Sequence, residues 1–379
     1  MAKRIAHITW SFGGFQEGIS RSVTELALGQ IAAGHQVEIF AARISDCGFS
    51  GETHIPGLTR LERRLPFVLG FASASARAVR RAERQSGAFD ILHSHVPTLA
   101  KTDVATVHLY PPKQLLALVK DTLTRTGQPI SDGIKRQFRS AWIARWTYAR
   151  NMSGQAHLIA VSPRVAQALQ DCYGRRPDEI TTLPLGIAPP PVDLTPQPRP
   201  DGPDRVAVFI GHQYITKGLG FVIEAMAQLG DDAPFLVVLG EGSEGSRSAM
   251  EQFAREKGLS HKIRFDGPQP QVWSHLAMAD LLIYPTFFDT FGLIIGEALA
   301  AGCPVITSRA AGITDLLPQT PALHLVDRAE DVDGLTQALR TLPSGPEISA
   351  AARQAVTDLS WNAHLDGVEE VYDKTVRSR

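Results

Sequence analysis

The sequence predicts an α/β protein with two doubly wound parallel-sheet domains. Its 379 residues are enough for two domains, because a domain averages roughly 150 residues. Short β-branched apolar runs alternate with helical patterns in both halves, which is typical of βα units that feed a parallel sheet. A proline-rich segment lies between the two series. Two domains joined by a linker are therefore expected.

Ten apolar runs are predicted to be strands. In the first half they are Ile5–Trp10, Val37–Ala41, Phe89–His93, Val104–Leu109 and Leu158–Ser162. In the second half they are Val206–Gly211, Leu236–Gly240, Ile263–Gly267, Leu281–Pro285 and Val305–Ser308. Helical patterns separate the strands, for example at Phe221–Leu229 and Ser248–Lys257. The order strand, helix, strand recurs through both halves.

The domain boundaries are predicted from the prolines. Residues 187–203 contain seven prolines, each of which fixes φ and removes a backbone donor, so this segment is predicted to be a semi-rigid linker. Residues 1–186 then form the first domain and residues 204–360 the second. Residues 361–379 carry apolar side chains at helical spacing and are expected to form a helix that packs back on the first domain.

Composition narrows the class of protein. The chain is 44% hydrophobic and 20% charged, as in a folded globular protein, and has no run of roughly 20 apolar residues that would span a membrane. Its N-terminus has no signal-peptide pattern, so a cytoplasmic location is expected. The widely spaced Cys47, Cys172 and Cys303 predict neither a disulfide framework nor a metal site.

The two halves carry opposite charge. Residues 1–195 hold 23 Lys+Arg against 15 Asp+Glu, a balance of +8, whereas residues 196–379 hold 15 against 24, a balance of −9. A basic half attracts an anionic membrane surface or an acidic acceptor. Chance asymmetry of a solvated surface explains the same numbers, so both interpretations stay open. If the basic half attracts anionic partners, peripheral contact with the inner face of the cell membrane is expected. A nucleic-acid partner is not expected.

The segment 285–306 has the most specific pattern. Pro285 ends a strand, Gly292 opens a helix, and Gly302 with Pro304 closes it. A helix that starts at the carboxyl end of a parallel strand presents unpaired backbone N–H groups. This segment is therefore predicted to bind a phosphate group.

Two acidic residues flank the start of this helix. Asp289 lies in the loop before it and Glu297 within it, where carboxylates can accept hydrogen bonds from sugar or ribose hydroxyls. The alternative is that Asp289 caps the helix and Glu297 is an exposed acid. The surrounding apolar, Gly and Pro pattern favours the ligand-binding interpretation.

The segment resembles the signature of the family 4 glycosyltransferases, which have two Rossmann-like domains facing across a cleft, the GT-B fold. That signature is an acid, seven residues, and Glu before a small-residue helix and a Pro-containing strand. The resemblance implies that Asp289 contacts donor-sugar hydroxyls and that Glu297 binds the ribose. Family members usually have Glu at the first position, so Asp289 leaves the identity of the sugar more open.

A second segment, 208–218, ends a strand and leads through Lys217 and Gly218 into a helix. Lys217 is placed to neutralise a diphosphate leaving group; a solvated surface lysine is the alternative. The resemblance implies the same role, with Gly211 beside it and His212 at the position of the family's Arg. A histidine is fully charged only when protonated, so more of the charge stabilisation is expected from Lys217 and the amides near Gly292.

In the first half, three features fall at predicted strand ends. The turn at Gly13 and Gly14 allows a close backbone approach, and in the resembled family this loop meets the donor diphosphate. The family also has a histidine facing the reacting sugar, a role that the resemblance gives to His108. His93 and His95 are interpreted instead as core or rim histidines satisfied by backbone.

The resemblance implies a retaining transfer without a dedicated nucleophile. The catalytic residues it assigns are Asp289, His108 and Lys217. The donor-binding residues are Gly14, Gly211, His212, Lys217, Asp289, Phe291, Gly292, Leu293, Ile294 and Glu297. No metal or other cofactor is expected, because the sequence Asp331-Val332-Asp333 is interpreted as a helix N-cap rather than a metal site. A UDP-sugar is the default donor from family frequency.

The acceptor is expected to be a glycan, a glycolipid or a small molecule. The segment Tyr110–Met152 breaks the βα rhythm and is predicted to cover part of the first domain's cleft, with apolar residues at helical spacing at Ile134, Phe138, Trp142 and Trp146. Its basic residues are Lys135, Arg136, Arg139, Arg145 and Arg150. These residues either face a lipid surface or form the solvent-exposed side of helices. A nucleotide-sugar epimerase and a non-catalytic sugar-nucleotide-binding subunit are the alternative functions.

Overall fold

The computed structural model forms two compact α/β units. The first contains Met1–Ala117, Ile134–Gly186 and Trp361–Arg379, and the second contains Leu118–Gly133 and Ile187–Ser360. The residues that the structure describes are 2–14, 18–61, 66–127, 145–152, 154, 156–202, 204–242, 245–269 and 271–377.

The first unit contains a seven-stranded parallel sheet in the order β3-β2-β1-β4-β5-β6-β7. Its strands are β1 (Arg4–Phe12), β2 (Gln36–Ile44), β3 (Glu52–His54), β4 (Ile91–Ser94), β5 (Val104–Val107), β6 (His157–Ala160) and β7 (Ile180–Thr182). Its helices are α1 (Gly18–Ala32), α2 (Phe67–Ser86), α3 (Pro112–Thr126), α4 (residues 145–152), α5 (Pro163–Tyr173) and α12 (Trp361–Arg377); part of α3 belongs to the second unit. All five predicted strands are present, and β3 and β7 are additional.

The second unit contains a six-stranded parallel sheet in the order β10-β9-β8-β11-β12-β13. Its strands are β8 (Val206–Ile210), β9 (Phe235–Leu239), β10 (Ile263–Gly267), β11 (Leu281–Tyr284), β12 (Val305–Ser308) and β13 (Leu323–Val326). Its helices are α6 (Leu219–Leu229), α7 (Ser246–Glu256), α8 (Trp273–Met278), α9 (Leu293–Ala301), α10 (Val332–Thr341) and α11 (Pro346–Ala355). The five predicted strands are again present, and only β13 is additional.

Apolar packing on both sheet faces explains why the strands read as continuous apolar runs. In the second unit, Phe209, Val222 and Leu236 belong to one buried cluster that joins β8, α6 and β9. In the first unit, helix α12 inserts Val368 and Tyr372 into a cluster with residues of β1, β4, β5 and β6. The C-terminal helix therefore packs on the first unit although it follows the second in the chain.

Part of the segment predicted to cover the first domain's cleft lies outside the described residues, together with Ile134, Lys135, Arg136, Phe138, Arg139 and Trp142. The described part begins with α3 and continues in α4, where Trp146 is 61% exposed. In α4, the side chain of Asn151 accepts a hydrogen bond from the backbone N–H of Thr98 at 2.9 Å, which ties α4 to the loop after β4. Among the described helices, none is long and apolar enough to cross a membrane.

Candidate active site

The strand order of the second sheet reverses between β8 and β11. Strands β9 and β10 lie on one side of this pair and β12 and β13 on the other. In an open parallel sheet, ligands bind outside the carboxyl ends of the strands at such a switch point. The two loops that start there are residues 211–218 after β8 and residues 285–292 after β11. These are the two segments that the sequence predicted to bind a diphosphate.

Helix α9 begins and ends as its glycines predicted. Gly292 is its N-cap residue, with φ of 95°, and Gly302 is its C-cap residue, with φ of 83°. Residues that carry a Cβ rarely adopt a positive φ, so glycine is suited to both ends of the helix. The first turn of α9 begins at Leu293, and the amides of Leu293 and Ile294 have no acceptor within the helix, whereas the Ile295 amide donates to the Gly292 carbonyl at 2.9 Å. Together with the helix dipole they favour an anion at this end.

Lys217 and Asp289 form the charged centre of the site. The Lys217 Nζ lies 2.7 Å from Asp289 Oδ2, and the Tyr284 hydroxyl donates to the same oxygen at 2.9 Å. The amide of Phe291 donates to Asp289 Oδ1 at 3.3 Å. Burial by itself would raise the pKa of Asp289, but the Lys217 ammonium and these two donors hold that pKa below its usual value. Asp289 is therefore a carboxylate, and it orients Lys217.

Backbone contacts fix the two loops against each other. The amide of Phe287 donates to the carbonyl of Thr216 at 2.9 Å. Gly218 has φ of 79°, and a Cβ at this position would overlap the carbonyl oxygen of Pro285. The Lys-Gly pair thus serves two purposes: Gly218 allows the close approach, and the approach brings Lys217 to Asp289.

The other residues that the resemblance assigns to the donor site differ in exposure. Glu297 is 2% exposed, so its interpretation as an exposed helix acid is wrong. Asp289 does not cap α9, because Gly292 occupies that position. Phe291 is buried, whereas Leu293 and Ile294 are half-buried.

The loop after β8 presents an exposed His212. A Cβ at Gly211 would lie 3.1 Å from Lys217 Cγ. Glycine at this position therefore leaves room for the lysine stem. His212, in place of the family's Arg, is on the solvent side of this loop.

Tyr284 was not identified from the sequence. It is 3% exposed at the end of β11, and burial together with the Asp289 carboxylate raises the pKa of its hydroxyl well above the usual value. The hydroxyl stays protonated and donates to Asp289. A tyrosine directly before Pro285 and five residues before the acid was the only available signal in the sequence.

In the first unit, the strand order reverses between β1 and β4. The Gly13–Gly14 turn follows β1: Gly13 has φ of 101° and a Cβ there would overlap the Ser45 carbonyl, whereas Gly14 is exposed. The residues directly after Gly14 lie outside the described part of the chain. The close backbone contact is thus at Gly13, and Gly14 is the residue open to solvent.

His108 follows β5 and is 7% exposed. It lines a small cavity with His95, Thr106, Tyr148 and Met152, among others. Burial and the nearby His364 lower the pKa of His108 to about 3. His108 is therefore a neutral imidazole at physiological pH.

His93 and His95 are buried, but their ring nitrogens bond to side chains rather than to the backbone. His93 pairs with Thr106 at 2.8 Å, and His95 pairs with His7 at 3.0 Å and with His108 at 3.1 Å. The interpretation that backbone groups satisfy them is wrong, because i and i+2 positions on neighbouring parallel strands place these side chains on one sheet face.

Two groups of the described residues have the composition of metal ligands: His7, His93 and His95, and Glu38, Glu52 and His54. The sequence Asp331-Val332-Asp333 is not among them. The Asp331 side chain instead accepts from the Gly334 amide at 2.9 Å and caps α10, as predicted.

Two family models match the chain. The model described as glycosyl transferases group 1 matches residues 204–344, and the model described as glycosyltransferase family 4 matches residues 17–189. The first match spans all six strands of the second sheet, and the second match spans β2 to β7 of the first sheet.

Two curated relatives illustrate the range of similarity. The D-inositol 3-phosphate glycosyltransferase of Corynebacterium diphtheriae is 27% identical over 179 residues, which is 44% of this chain and 42% of the relative. The chain thus matches less than half of that relative's length. The glycogen synthase of Mycobacterium tuberculosis is 24% identical over 400 residues, covering 97% of this chain and 94% of the relative.

Two solved structures share the fold. Sucrose-phosphate synthase from Thermosynechococcus elongatus superposes with a TM-score of 0.75 at 16% identity, covering 100% of both chains. Anabaena Alr3699/HepE in complex with UDP-glucose superposes with a TM-score of 0.68 at 15% identity, covering 98% of this chain and 100% of that one.

The two parallel-sheet units and these matches define a glycosyltransferase of GT-B type. Both family models point to the same group. The chain belongs to the family 4 glycosyltransferases, also described as group 1.

Proposed function

We propose that the protein is a retaining, metal-independent glycosyltransferase that moves a hexose-type sugar from a UDP-sugar to an acceptor hydroxyl. The observation that supports it most directly is the Lys217–Asp289 pair, 2.7 Å between Nζ and Oδ2, beside the start of α9. A leaving diphosphate needs positive charge and N–H donors, and this corner of the sheet has both.

Lys217 is proposed to stabilise the leaving diphosphate. A lysine ammonium has three N–H donors, and the contact with Asp289 Oδ2 uses one of them. The remaining donors can bind phosphate oxygens while Asp289 holds the ammonium in place. The amides of Leu293 and Ile294 add the donors of the helix start, and His212 adds a further donor from the loop after β8.

The two acids are proposed to bind the hydroxyl groups of the donor. Glu297, which is 2% exposed, is proposed to bind the ribose, as the resemblance implies. Asp289 orients the transferred sugar, and as a carboxylate it can accept sugar hydroxyls without giving up a proton. His108, also by the resemblance, lies beside the reacting sugar, and Gly14 borders the diphosphate.

Independence from metals follows from the same charge argument. Lys217 and the helix dipole of α9 supply the positive charge that a bound cation would otherwise supply. The only Asp-x-Asp sequence that could suggest a metal site has a structural role, since Asp331 caps α10. Transfer that continues at an unchanged rate in chelator is the expected result.

The acceptor class is proposed to be a glycan, a glycolipid or a small polyhydroxy molecule. Two of the curated relatives are named for D-inositol 3-phosphate and for glycogen. The UDP base is proposed from family frequency. Peripheral contact with the inner face of the cell membrane is proposed from the basic first half of the sequence.

The donor site is tested by titration calorimetry with UDP and GDP in the presence of chelator. Binding of one nucleotide to the wild-type protein, weakened about 100-fold or more in Lys217→Ala, is expected, because hydrogen bonds to charged groups contribute about 1.5–3 kcal/mol each. Lys257→Ala is the matched control: this lysine ends α7, away from both loops, and its removal should leave the affinity unchanged. Equal weakening in both variants, or no binding of either nucleotide, would count against the proposal.

Product analysis separates the alternatives. Incubation with UDP-glucose and a mixture of polyhydroxy acceptors should give a product whose anomeric configuration, read by NMR coupling constants, equals that of the donor. An inverted product would contradict retention. Epimerised donor without transfer would identify a nucleotide-sugar epimerase, and binding without any turnover would identify a non-catalytic binding subunit.

A further inference from the structure

Tyr284 is the last residue of β11, one of the two strands between which the order of the second sheet reverses. Its backbone carbonyl accepts hydrogen bonds from the Thr286 amide at 2.9 Å and from the Thr307 hydroxyl at 2.7 Å. Thr307 is also its register partner on β12. The side chain is 3% exposed, and the centre of its ring lies 6.3 Å from that of Phe209 on β8. The sheet therefore fixes the position of Tyr284.

The two charged residues that Tyr284 contacts belong to loops. Lys217 follows β8, and Asp289 follows β11. The backbone of Asp289 is fixed, because its amide donates to the Ala310 carbonyl at 3.2 Å and its carbonyl accepts from the Gly312 amide at 3.1 Å. The orientation of its carboxylate depends instead on contacts of the side chain. The contact with Tyr284 ties this carboxylate directly to the sheet.

Two hydrogen-bond donors converge on one oxygen of Asp289. Lys217 Nζ lies 2.7 Å from Oδ2, and the Tyr284 hydroxyl donates to the same atom at 2.9 Å. Lys217 Nζ also lies 5.1 Å from the centre of the Tyr284 ring, within the range of a cation–π interaction. Tyr284 therefore contacts both members of the ion pair, the carboxylate through its hydroxyl and the ammonium through its ring.

The Asp289 carboxylate and a bound diphosphate would compete for the same ammonium. A carboxylate that also accepts an O–H donor depends less on the ammonium than one that Lys217 alone stabilises. The Tyr284 hydroxyl stays protonated, because burial and the Asp289 carboxylate raise its pKa well above the usual value. It can therefore remain on Oδ2 while Lys217 turns N–H groups towards phosphate. The largely buried carboxylate then keeps a partner, which avoids the cost of an unpaired charge.

We propose that Tyr284 is a positioning residue of the nucleotide site, whose hydroxyl holds the Asp289 carboxylate and thereby leaves N–H groups of Lys217 available to the diphosphate. The inference deepens the proposed function and rests on it for the identity of the ligand. Tyr284 then acts on the nucleotide through the ion pair and not by direct contact. Loss of its hydroxyl should weaken binding of the diphosphate group and leave binding of the nucleoside unchanged.

Replacement of Tyr284 by phenylalanine removes the hydroxyl and keeps the ring beside Lys217. Calorimetry in chelator is expected to show that Tyr284→Phe binds UDP about tenfold more weakly than the wild type, the order of magnitude of one hydrogen bond to a charged group. The affinity for uridine, which lacks the diphosphate, should be unchanged in ligand-observed NMR. If the protein selects GDP, then GDP and guanosine are the probes. Unchanged UDP affinity, or equal weakening of UDP and uridine, would overturn the proposal.

Tyr372→Phe is the matched control. Tyr372 is also a buried tyrosine, and its hydroxyl bonds to His93 at 2.7 Å and to Gln30 at 3.2 Å in the first unit. The control variant loses a buried hydroxyl with the same change in shape, but neither partner belongs to the Lys217–Asp289 pair. Its UDP affinity should equal that of the wild type. An equal loss of UDP affinity in the control and the test variant would overturn the proposal.

A double-mutant cycle shows whether Tyr284 acts through Asp289. In Asp289→Asn, the neutral amide no longer competes for the Lys217 ammonium, so removal of the Tyr284 hydroxyl should have no further effect on UDP affinity. The double variant is expected to bind UDP as tightly as Asp289→Asn. A further weakening as large as that in the single variant would show that Tyr284 acts independently of Asp289 and would overturn the proposal.

Two results separate this inference from the proposed function. UDP binding that is lost in Lys217→Ala but unchanged in Tyr284→Phe would overturn the inference alone. Failure of the wild-type protein to bind both UDP and GDP would refute the proposed function, and the inference with it.

Discussion

Replacement of Asp289 by asparagine should separate its two effects on the donor site. The change removes one negative charge and keeps the shape of the side chain. Asp289 accepts from Lys217 at 2.7 Å and from Tyr284 at 2.9 Å through one oxygen, and from the Phe291 amide through the other. The neutral asparagine oxygen can keep only part of these contacts, and it no longer neutralises the Lys217 ammonium.

The cost in stability can be bounded from burial. The Lys217 and Asp289 side chains are 19% and 20% exposed, which lies between exposed pairs, worth up to about 1 kcal/mol, and buried pairs, whose disruption costs about 3–5 kcal/mol. A decrease of about 2 kcal/mol in the free energy of unfolding is expected in urea denaturation. Asp266→Asn is the control, because Asp266 is also 19% exposed and pairs at 2.7 Å with Arg264, which is 44% exposed. Its cost should stay below about 1 kcal/mol.

The same substitution, Asp289→Asn, should increase the affinity for UDP although it lowers the stability. The Asp289 carboxylate repels the incoming diphosphate, and two unit charges roughly 7 Å apart interact by about 2 kcal/mol at an effective dielectric constant of about 20. Solvent screening reduces this value, so Asp289→Asn is expected to bind UDP about tenfold more tightly, a gain of about 1.4 kcal/mol, in chelator-containing calorimetry. Sugar transfer should fall by about 100-fold, since a group that orients the reacting sugar is lost.

A lower free energy of unfolding, tighter UDP binding and slower transfer in Asp289→Asn are expected together only if the Lys217–Asp289 pair lies at the donor site. If UDP affinity falls or stays unchanged in Asp289→Asn while Asp266→Asn behaves like the wild type, then Asp289 does not act on the diphosphate. The assignment of the Lys217–Asp289 pair to the donor site would then be refuted.

Three further predictions follow from other parts of the chain. Gly218→Ala should lower the free energy of unfolding by about 1–3 kcal/mol more than Gly258→Ala. Both glycines have positive φ, but only a Cβ at residue 218 would overlap the Pro285 carbonyl. Equal decreases in melting temperature for the two variants would contradict this prediction. In the unfolded chain His7 and His108 become protonated near pH 6.5, whereas in the folded protein burial lowers their pKa to about 4 and about 3. The free energy of unfolding should therefore decrease as pH falls below about 6.5, by at most about 1.4 kcal/mol per pH unit for each histidine. Urea midpoints that do not change with pH would refute this prediction. The protein should sediment with vesicles rich in anionic lipid at low salt and dissociate at high salt; no binding at low salt would remove the membrane proposal.

The sequence was sufficient to predict helix α9 and both of its ends. Gly292 and Gly302 specify the two ends through their positive φ values, and this information is local in the chain. The edge strands β3 and β7 were not predicted, because each has three residues and so lacks a recognisable alternation. Length, rather than composition, limited the prediction of these strands.

The pairing of Lys217 with Asp289 could not be predicted from local pattern. The two residues are 72 positions apart, and they meet because β8 and β11 are neighbours in the sheet while β9 and β10 lie on the other side. Tyr284 was missed for the same reason, since its importance depends on the position of Asp289 in the folded loop. Sequence motifs predicted the residue types, but the order of the strands determined which of them interact.

The histidines of the first sheet extend this argument. Interpreted singly, His93 and His95 were core or rim residues. The parallel register of β1, β4 and β5 brings His7 and His95 together between Gln30 and His108, whereas His93 joins Tyr372 to Thr106. Lys217 lies beside the strand reversal of its sheet, where parallel sheets bind ligands, whereas His108 follows β5, one strand away from the reversal between β1 and β4. Each of these placements depends only on the topology of its own unit, so each can be checked separately by substitution in that unit.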